Sequence, residues 1–546
     1  MNGIDNLDLN LLHRQDRTSK HKNNYDLSEF TFPFENFVFE GGGNKGLAYS
    51  GCIRVLEEIG VWGQSKRLCG TSSGAMTATL LAVGYNSYEV ERFQNLDLHE
   101  MFLDTTCGLC SLLPNVLKHF GWNPGNRILK WLGDVIAEKT GNKDITFKQL
   151  YDRFDKELCV VVTNLNHMST EYCHVKTTPN MPVRIAVRMS MSIPGLFKPV
   201  KWVPKGSRNP DYFIDGGLLS NYAIHAFDGW WLSMAPSDSF LKRLHPLEKL
   251  GNLFDKTERF GSRNDKTLGF LLYADKDVEV IRPDLDDRAD VDPQDRIPNT
   301  KLARQRMEDK RAEAIEAEKH SAMYDAVDAF LDTLADEDIN LDSMTNKEEL
   351  KSVLEKVTEK KKEHYKTMFG NSSIDDIFNI LDKDNSGQIS FTELVNYFNT
   401  KGVDIQQRFT GVKRQNISGL KDYINIIQQS LSVNLTRIHI KTSDAARTVG
   451  INTGYIGTTD FDMEDEDKDF LVEQGRRSTI SFLRQYIDTN NLESSRKLLG
   501  NSTTTLEKDN DDITTELTFI ENHIHSTYDQ IKDENERTNM KLPLVV

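Results

Sequence analysis

Two short apolar runs near the start of this chain each end in a glycine-rich turn and continue into a helix-forming stretch. Phe37-Val38-Phe39 runs into Glu40-Gly41-Gly42-Gly43-Asn44-Lys45-Gly46. Leu47, Ile53, Val55, Leu56 and Ile59 follow at helical spacing as far as Gly60. Lys66 to Cys69 then leads into Gly70-Thr71-Ser72-Ser73-Gly74, ahead of Ala75 to Ala82 and a helix end near Gly84. Strand, turn and helix twice in succession demand parallel strands in an α/β sheet, with both turns at one edge.

A serine flanked by glycines two residues away on either side suits the apex of a sharp strand-to-helix turn, where neighbouring Cβ atoms would clash. Such a turn exposes Ser72 and aims the N-terminus of the next helix at it, leaving N–H groups for an oxyanion. The plainer reading of these five residues is a Ser/Gly-rich loop. The earlier turn matches G-x-G-x-x-G at Gly41, Gly43 and Gly46, a dinucleotide fingerprint that requires an acidic residue at the end of the second strand. Here that strand ends at Cys69-Gly70 and enters the serine elbow instead. The other use of a glycine loop is a row of backbone N–H donors facing an anion. Beside an activated serine, that anion is the oxyanion of acyl transfer.

The 546 residues suffice for two or three domains, and 83 acidic against 67 basic residues give a formal charge of −16. That balance argues against nucleic acid as a partner. The six cysteines (Cys52, Cys69, Cys107, Cys110, Cys159 and Cys173) are sparse, as in a reduced compartment, and Cys107-x-x-Cys110 lacks a second ligand pair at metal spacing. Neither a signal-peptide core nor a run of about 18 apolar residues occurs, which predicts a cytoplasmic protein that does not span a bilayer. Leu158 to Thr163 and Thr170 to Val175 read as neighbouring strands, and Arg184 to Met191 as a helix stopped at Pro194-Gly195. Tyr212-Phe213-Ile214 then ends in Asp215-Gly216-Gly217, a carboxylate in a tight turn that the backbone can approach; a plain Asp-Gly turn is the alternative.

The glycine loop, the Ser72 elbow and Asp215-Gly216-Gly217 occur in that order, with Ala186-Val187-Arg188-Met189-Ser190-Met191-Ser192-Ile193-Pro194-Gly195-Leu196-Phe197 between the last two. Together they resemble the patatin-like phospholipases, as do Thr267 to Leu271, Arg447 to Ile451 and Asp460-Phe461-Asp462 with the helix that follows. The resemblance implies a three-layer α/β/α core with a mostly parallel sheet, and hydrolysis of lipid esters by a Ser-Asp dyad without histidine. It makes Ser72 the nucleophile and Asp215 the general base. The N–H groups of Gly41, Gly42, Gly43, Asn44, Lys45 and Gly46 form the oxyanion hole, with Lys45 a possible brace of the loop. Gly70, Gly74, Gly216 and Gly217 shape the two turns. A histidine triad is the competing arrangement, with His225 among the candidates.

From Leu272 to Ser418 the chain turns charged and poor in aromatics. The expected organisation is a flexible lead over 1–30, a catalytic core over 31–285 and 417–490, a helical insertion over 286–416 and a polar tail over 491–546. A strand is expected at Arg437 to Lys441. Within the insertion, 382–393 fills the EF-hand loop pattern. Asp382, Asp384, Ser386 and Ser390 supply oxygens, Gln388 its carbonyl, Gly387 the turn and Glu393 a bidentate carboxylate. Calcium is therefore expected, in a structural or regulatory role outside the dyad. A partner loop is not evident: Asp336 to Glu348 is degenerate in this reading, leaving a lone site or pairing in trans.

The leading reading is a lipid acyl hydrolase acting on phospholipid or acylglycerol at a membrane or droplet surface, with calcium or a protein activator as its modulators. Acyl transfer by the same dyad and an inert calcium-responsive scaffold are the alternatives.

Overall fold

The computed structural model describes residues 25–94, 111–203, 208–244, 247–274, 281–286, 296–312, 344–348, 365–401, 440–460 and 462–494, with isolated positions such as Asp104 and Ala326 besides. The chain forms two compact units, Phe34–Phe482 and a smaller one joining Met1–Pro33 to Leu483–Val546. In the smaller unit, Leu27–Glu29 makes a 3-10 turn capped by Asp26, although it falls in the stretch expected to be flexible. The Tyr25 hydroxyl donates to Asp488 at 2.6 Å, and the rings of Phe32 and Tyr486 lie 6.1 Å apart. The predicted tail over 491–546 falls almost wholly outside the described residues.

The larger unit is built on eight strands: β1 (Asn36–Phe39), β2 (Arg67–Thr71), β3 (Glu157–Asn164), β4 (Ser169–His174), β5 (Val200–Trp202), β6 (Asp211–Asp215), β7 (Thr267–Tyr273) and β8 (Thr448–Asn452). Their order is β8-β7-β1-β2-β3-β6-β5, with β4 also on β3. From β8 to β3 the neighbours are parallel, and β4, β5 and β6 add antiparallel pairs. This is an α/β fold with a mixed, mostly parallel sheet. The central strands are buried on both faces, which is why Phe37-Val38-Phe39 and Cys159-Val160-Val161-Val162 read as continuous apolar runs.

After β1 comes α1 (Ala48–Glu58), and after β2 comes α2 (Ser73–Ala82), which is buried along its whole length. Register pairs Phe39 with Gly70, so the glycine loop and the serine elbow leave the sheet side by side. The long helix at the end of the core crosses α1 at backbone contact. A Cβ on Gly51 would lie 1.9 Å from Val472 O, and one on Gly475 would lie 1.9 Å from Ala48 O. Glycine is required at both positions.

The strand expected at Arg437 to Lys441 is not formed at its described residues. Ile438 is helical and largely exposed, and Ile440 lies in a loop. The alternation of apolar and polar residues there fits a strand, but the buried run is the later Thr448–Asn452, which takes the edge beside β7. Arg447 pins that edge. Its guanidinium pairs with Asp228 at 2.7 Å and Asp444 at 2.8 Å, all three side chains being more than nine-tenths buried.

Within the insertion, Val327, Phe330, Leu350, Met368 and Phe369 share a core with residues of α3 (Ile374–Leu381) and α4 (Phe391–Thr400), including Phe378, Leu381, Leu394 and Phe398. Val327 and Phe330 are thus buried apolar positions of an otherwise charged stretch. Removing one partner of a buried ion network leaves the others charged and uncompensated, at a cost of about 3–5 kcal/mol. Arg447→Met should accordingly lower the unfolding free energy of the core, read from urea titration, by that amount, and a loss below about 1 kcal/mol would contradict the strut.

Candidate active site

Ser72 stands between β2 and α2 with φ 52° and ψ −124°, a backbone state that residues bearing a Cβ adopt only under constraint. The constraint is close packing. A Cβ on Gly70 would lie 2.2 Å from Gly74 O, and one on Gly74 would lie 2.4 Å from Phe39 O. The Ser72 N–H donates to Ser190 Oγ at 2.9 Å, and the Ser190 hydroxyl donates to Val161 O at 2.6 Å. The Ser72 carbonyl accepts from the N–H groups of Ala75 and Met76, starting α2.

Asp215 closes β6, three residues in register with the end of β3, and its N–H donates to Ser192 O. Its Oδ1 accepts from the Gly217 N–H at 2.7 Å. Burial pushes the Asp215 pKa up to about 7, with the Gly217 hydrogen bond and the nearby Ser72 side chain opposing the rise. A Cβ on Gly216 would lie 2.3 Å from Val161 O, and one on Gly217 would lie 2.8 Å from Asn221 Oδ1. Both glycines of the turn are thus fixed by close approach. The structure brings Ser72, Asp215 and the glycine loop together. His225 is elsewhere engaged, with Nε2 2.6 Å from the Tyr172 hydroxyl, so it does not complete a triad.

Of the six loop residues expected to line an oxyanion hole, several have their N–H groups committed. Gly41 donates to Asn221 O, Gly42 to Ser73 Oγ, Asn44 to Thr458 O and Lys45 to Gly42 O. Gly46 lies inside the 3-10 turn Gly43–Leu47. The physical reason is that the loop is coiled into this turn rather than extended. Among the described residues no acceptor is recorded for the N–H of Gly43 or of Ser73, the first residue of α2. Gly43 has φ +55°, and a Cβ there would lie 2.2 Å from Thr458 O. Lys45 Nζ reaches Leu272 O at 3.4 Å, a brace between loop and sheet.

Sequence reading missed three supports. The buried Glu40 carboxylate accepts from the Leu272 N–H at 2.8 Å and from Asn221 Nδ2 at 3.0 Å, while Asn221 Nδ2 also donates to Gly41 O. Glu40 and Asn221 thereby tie the glycine loop to the aspartate turn, and Ser190 ties the elbow to β3. Glu40 at the end of an apolar strand was the available signal, since a carboxylate there needs buried partners. Beside Ser72 opens a cleft, part of it open to solvent, with Leu47, Met76, Met191, Ile193, Phe197 and Met463 among its walls. Its apolar lining suits a lipid acyl chain.

Residues 37–228 match the family model of the patatin-like phospholipases, and 373–401 match that of the EF hand domain. The chain carries a patatin-like phospholipase domain. That domain is 32% identical over 200 residues to the uncharacterized protein YqhO of Bacillus subtilis, which covers 35% of this chain and 65% of that protein. It is 28% identical over 206 residues to the probable lipid hydrolase 463L of Invertebrate iridescent virus 6, covering 38% of this chain and 67% of that protein. The chain spans 61% to 67% of the length of the curated relatives it matches. Among solved structures it is similar to VipD from Legionella pneumophila, with a TM-score of 0.36 and 14% identity over 84% of this chain and 68% of that one. Among the described residues no helix is long and apolar enough to cross a membrane.

The EF hand loop draws its acidic side chains together. Oxygens of Asp382, Asp384 and Glu393 lie within 4.8 Å of one another. Asp382 also accepts from the N–H groups of Ser386 and Gly387 at 3.0 Å, and Gly387 has φ +80°. Ser390 caps α4 in a capping box with Glu393, so its hydroxyl faces the carboxylate that would complete the site. The Ser386 hydroxyl donates to the Gln388 carbonyl at 2.8 Å. These donors fit a hard cation with oxygen ligands. Met344–Asn346 of the same chain lies antiparallel to Gln388–Ser390, with Thr345 opposite Ile389. Ile389 is the eighth residue of its loop. Counted from Thr345 in the same way, the sequence carries Asp338, Asn340 and Asp342 at the first, third and fifth positions and Glu349 at the twelfth, a frame missed by starting at Asp336. Those four residues lie outside the described ones, as do Cys107 and Cys110.

The Asp215 pKa sets two pH responses with one cause. A base must be ionised, so any reaction that uses it should rise with pH and level off above about 7. The folded carboxyl holds its proton above the ordinary value of 3.8, so ionising it costs stability as pH rises from there through about 7. Asp215→Asn should therefore melt above wild type at alkaline pH, with the gap closing near the ordinary value. An equal Tm at alkaline pH would contradict the burial argument.

Proposed function

We propose that the chain is a lipid acyl hydrolase that cleaves fatty-acyl esters of phospholipids or acylglycerols, with Ser72 as nucleophile and Asp215 as base. The observation that carries this reading is the buried Asp215 carboxyl beside Ser72 at a strained elbow that opens on an apolar cleft. The patatin-like family match and a relative named as a probable lipid hydrolase support it. Ser72 Oγ attacks the ester carbonyl as its proton passes to Asp215, and the N–H groups of Gly43 and Ser73 receive the oxyanion. The C–O bond to the alcohol breaks, and the alcohol leaves with the proton from Asp215. Water then attacks the acyl-serine, giving a proton to Asp215, and the fatty acid departs as Ser72 takes that proton back. Interception of the acyl-serine by an alcohol would make the same site an acyltransferase. The substrate class places the protein peripherally at a lipid surface.

The second part of the proposal is that calcium bound at 382–393, with 338–349 as its in-chain partner loop, modulates this site. Residues 300–312, near the start of the insertion, are tied to the segment that carries the cleft-lining Thr458 and Met463. Arg306 pairs with Asp460 at 2.9 Å, the Thr300 hydroxyl donates to Asp467 at 2.6 Å, and Thr458 of that segment accepts from the Asn44 N–H. A shift of the inserted helices would be felt at the glycine loop through these contacts.

Fatty-acid release from phospholipid and triacylglycerol vesicles tests the reading. Ser72→Ala and Asp215→Asn should each lose on the order of 10³-fold or more in kcat. Release by Ser72→Ala equal to wild type would sink it, and a wild type as inactive as the variant would leave a scaffold. A chelator should change the wild-type rate. Glu393→Gln should bind one calcium ion fewer by calorimetry, and Arg306→Gln should bind calcium without the change in rate. Calcium binding with no change in wild-type release would remove the modulatory part alone.

A further inference from the structure

The side chain of Asn44 is the one polar group in the glycine loop that neither the loop nor the proposed reaction uses. The residue is 2% exposed, and neither Oδ1 nor Nδ2 has a hydrogen-bond partner among the described residues. An orphaned buried polar atom is destabilising, because it gives up its water and gains no partner in return. Asn123, also buried beside the cleft-wall strand, differs in that its Nδ2 donates to Leu196 O and only Oδ1 is orphaned. Asn44 lines the same cleft as Ser72, among mostly apolar walls. Its main chain is held by Thr458 O, so the amide is carried on a fixed support. A leucine, with as many side-chain heavy atoms and no polar one, would carry no such penalty.

We propose that the Asn44 amide is a specificity-determining group that reads a hydroxyl borne close to the scissile ester of the substrate. An ester offers only acceptors and would satisfy Nδ2 while leaving Oδ1 bare. A hydroxyl beside the ester satisfies both atoms, accepting from Nδ2 or leaving it to the ester oxygen while donating to Oδ1. The hydroxyl has two chemical sources, the alcohol side, as in a partly acylated glycerol, and the acyl side, as in a 2-hydroxyacyl chain. The inference rests on the hydrolase reading, and it adds a preference that the Ser72 chemistry does not require.

The test compares matched esters on the wild-type protein: 1-palmitoylglycerol against the monopalmitoyl ester of 1,3-propanediol, and a 2-hydroxypalmitoyl ester against its palmitoyl counterpart. One arm should show the hydroxylated ester favoured by about tenfold or more in kcat/KM, because a site built to pair a hydroxyl is left unpaired by the analogue. The arm that does so identifies the source. Asn44→Leu should bring that ratio to within about twofold while still hydrolysing the plain ester, and Asn44→Gln should restore part of it. Ser72-dependent hydrolysis with no preference in either arm, or a preference that survives in Asn44→Leu, overturns the inference alone. If wild type releases no more than Ser72→Ala, the hydrolase reading fails. Calorimetric binding of the ether-linked analogues to Ser72→Ala then decides the Asn44 contact, with equal affinity for hydroxylated and plain forms overturning it.

Discussion

Everything chemical in this protein hangs on the close approach of three backbone segments around Ser72. Phe39 O sits where a side chain at Gly74 would be, and Gly74 O where a side chain at Gly70 would be. With no atoms to spare, β2 can turn into α2 only by placing one residue at φ 52°, and that residue carries the hydroxyl. The strain is held by Ser190 below the elbow and by burial of α2 on every side. Because parallel β1 and β2 end in register, the glycine loop must lie alongside the elbow. The antiparallel entry of β6 against β3 then delivers Asp215 from the other side. A buried carboxylate beside a half-buried serine follows, and with it the raised basicity that proton transfer near neutral pH requires.

Much of this was legible in the sequence because it rests on residues whose absence of side chain is itself the signal. Gly70, Gly74, Gly216 and Gly217 mark close approaches that the structure contains at each position, and the apolar runs at β1, β2 and β3 mark strands buried on both faces. What could not be read was which N–H groups of the glycine loop stay unengaged, since that depends on Asn221 and Thr458, residues far away in sequence that accept from Gly41 and Asn44. The shared carboxylate of Glu40 was hidden for the same reason. At β8 the pattern misled: Ile438 and Ile440 alternate with polar residues as an edge strand would, yet the anchoring of Arg447 by Asp228 and Asp444 puts the strand at the residues directly after it.

The insertion shows the same limit in another form. The loop over 382–393 is complete in sequence because its ligands are local, whereas its partner is found only through pairing. The facing of Thr345 and Ile389 fixes a counting frame that inspection of acidic residues alone placed two positions too early. The apolar core that Phe330 and Leu350 share with Phe378 and Phe398 packs that segment of the insertion against the helices flanking the loop.

The central claim is that Ser72 is a nucleophile activated by Asp215, and covalent trapping reads it most directly. Wild-type protein incubated with a fluorophosphonate and weighed by intact-mass and peptide mass spectrometry should gain one phosphonyl group on the peptide that carries Ser72. The labelling rate should rise with pH to a plateau above about 7 and fall by orders of magnitude in Asp215→Asn. Labelling at another serine, or labelling of Ser72 at a rate indifferent to both pH and Asp215→Asn, would contradict the account.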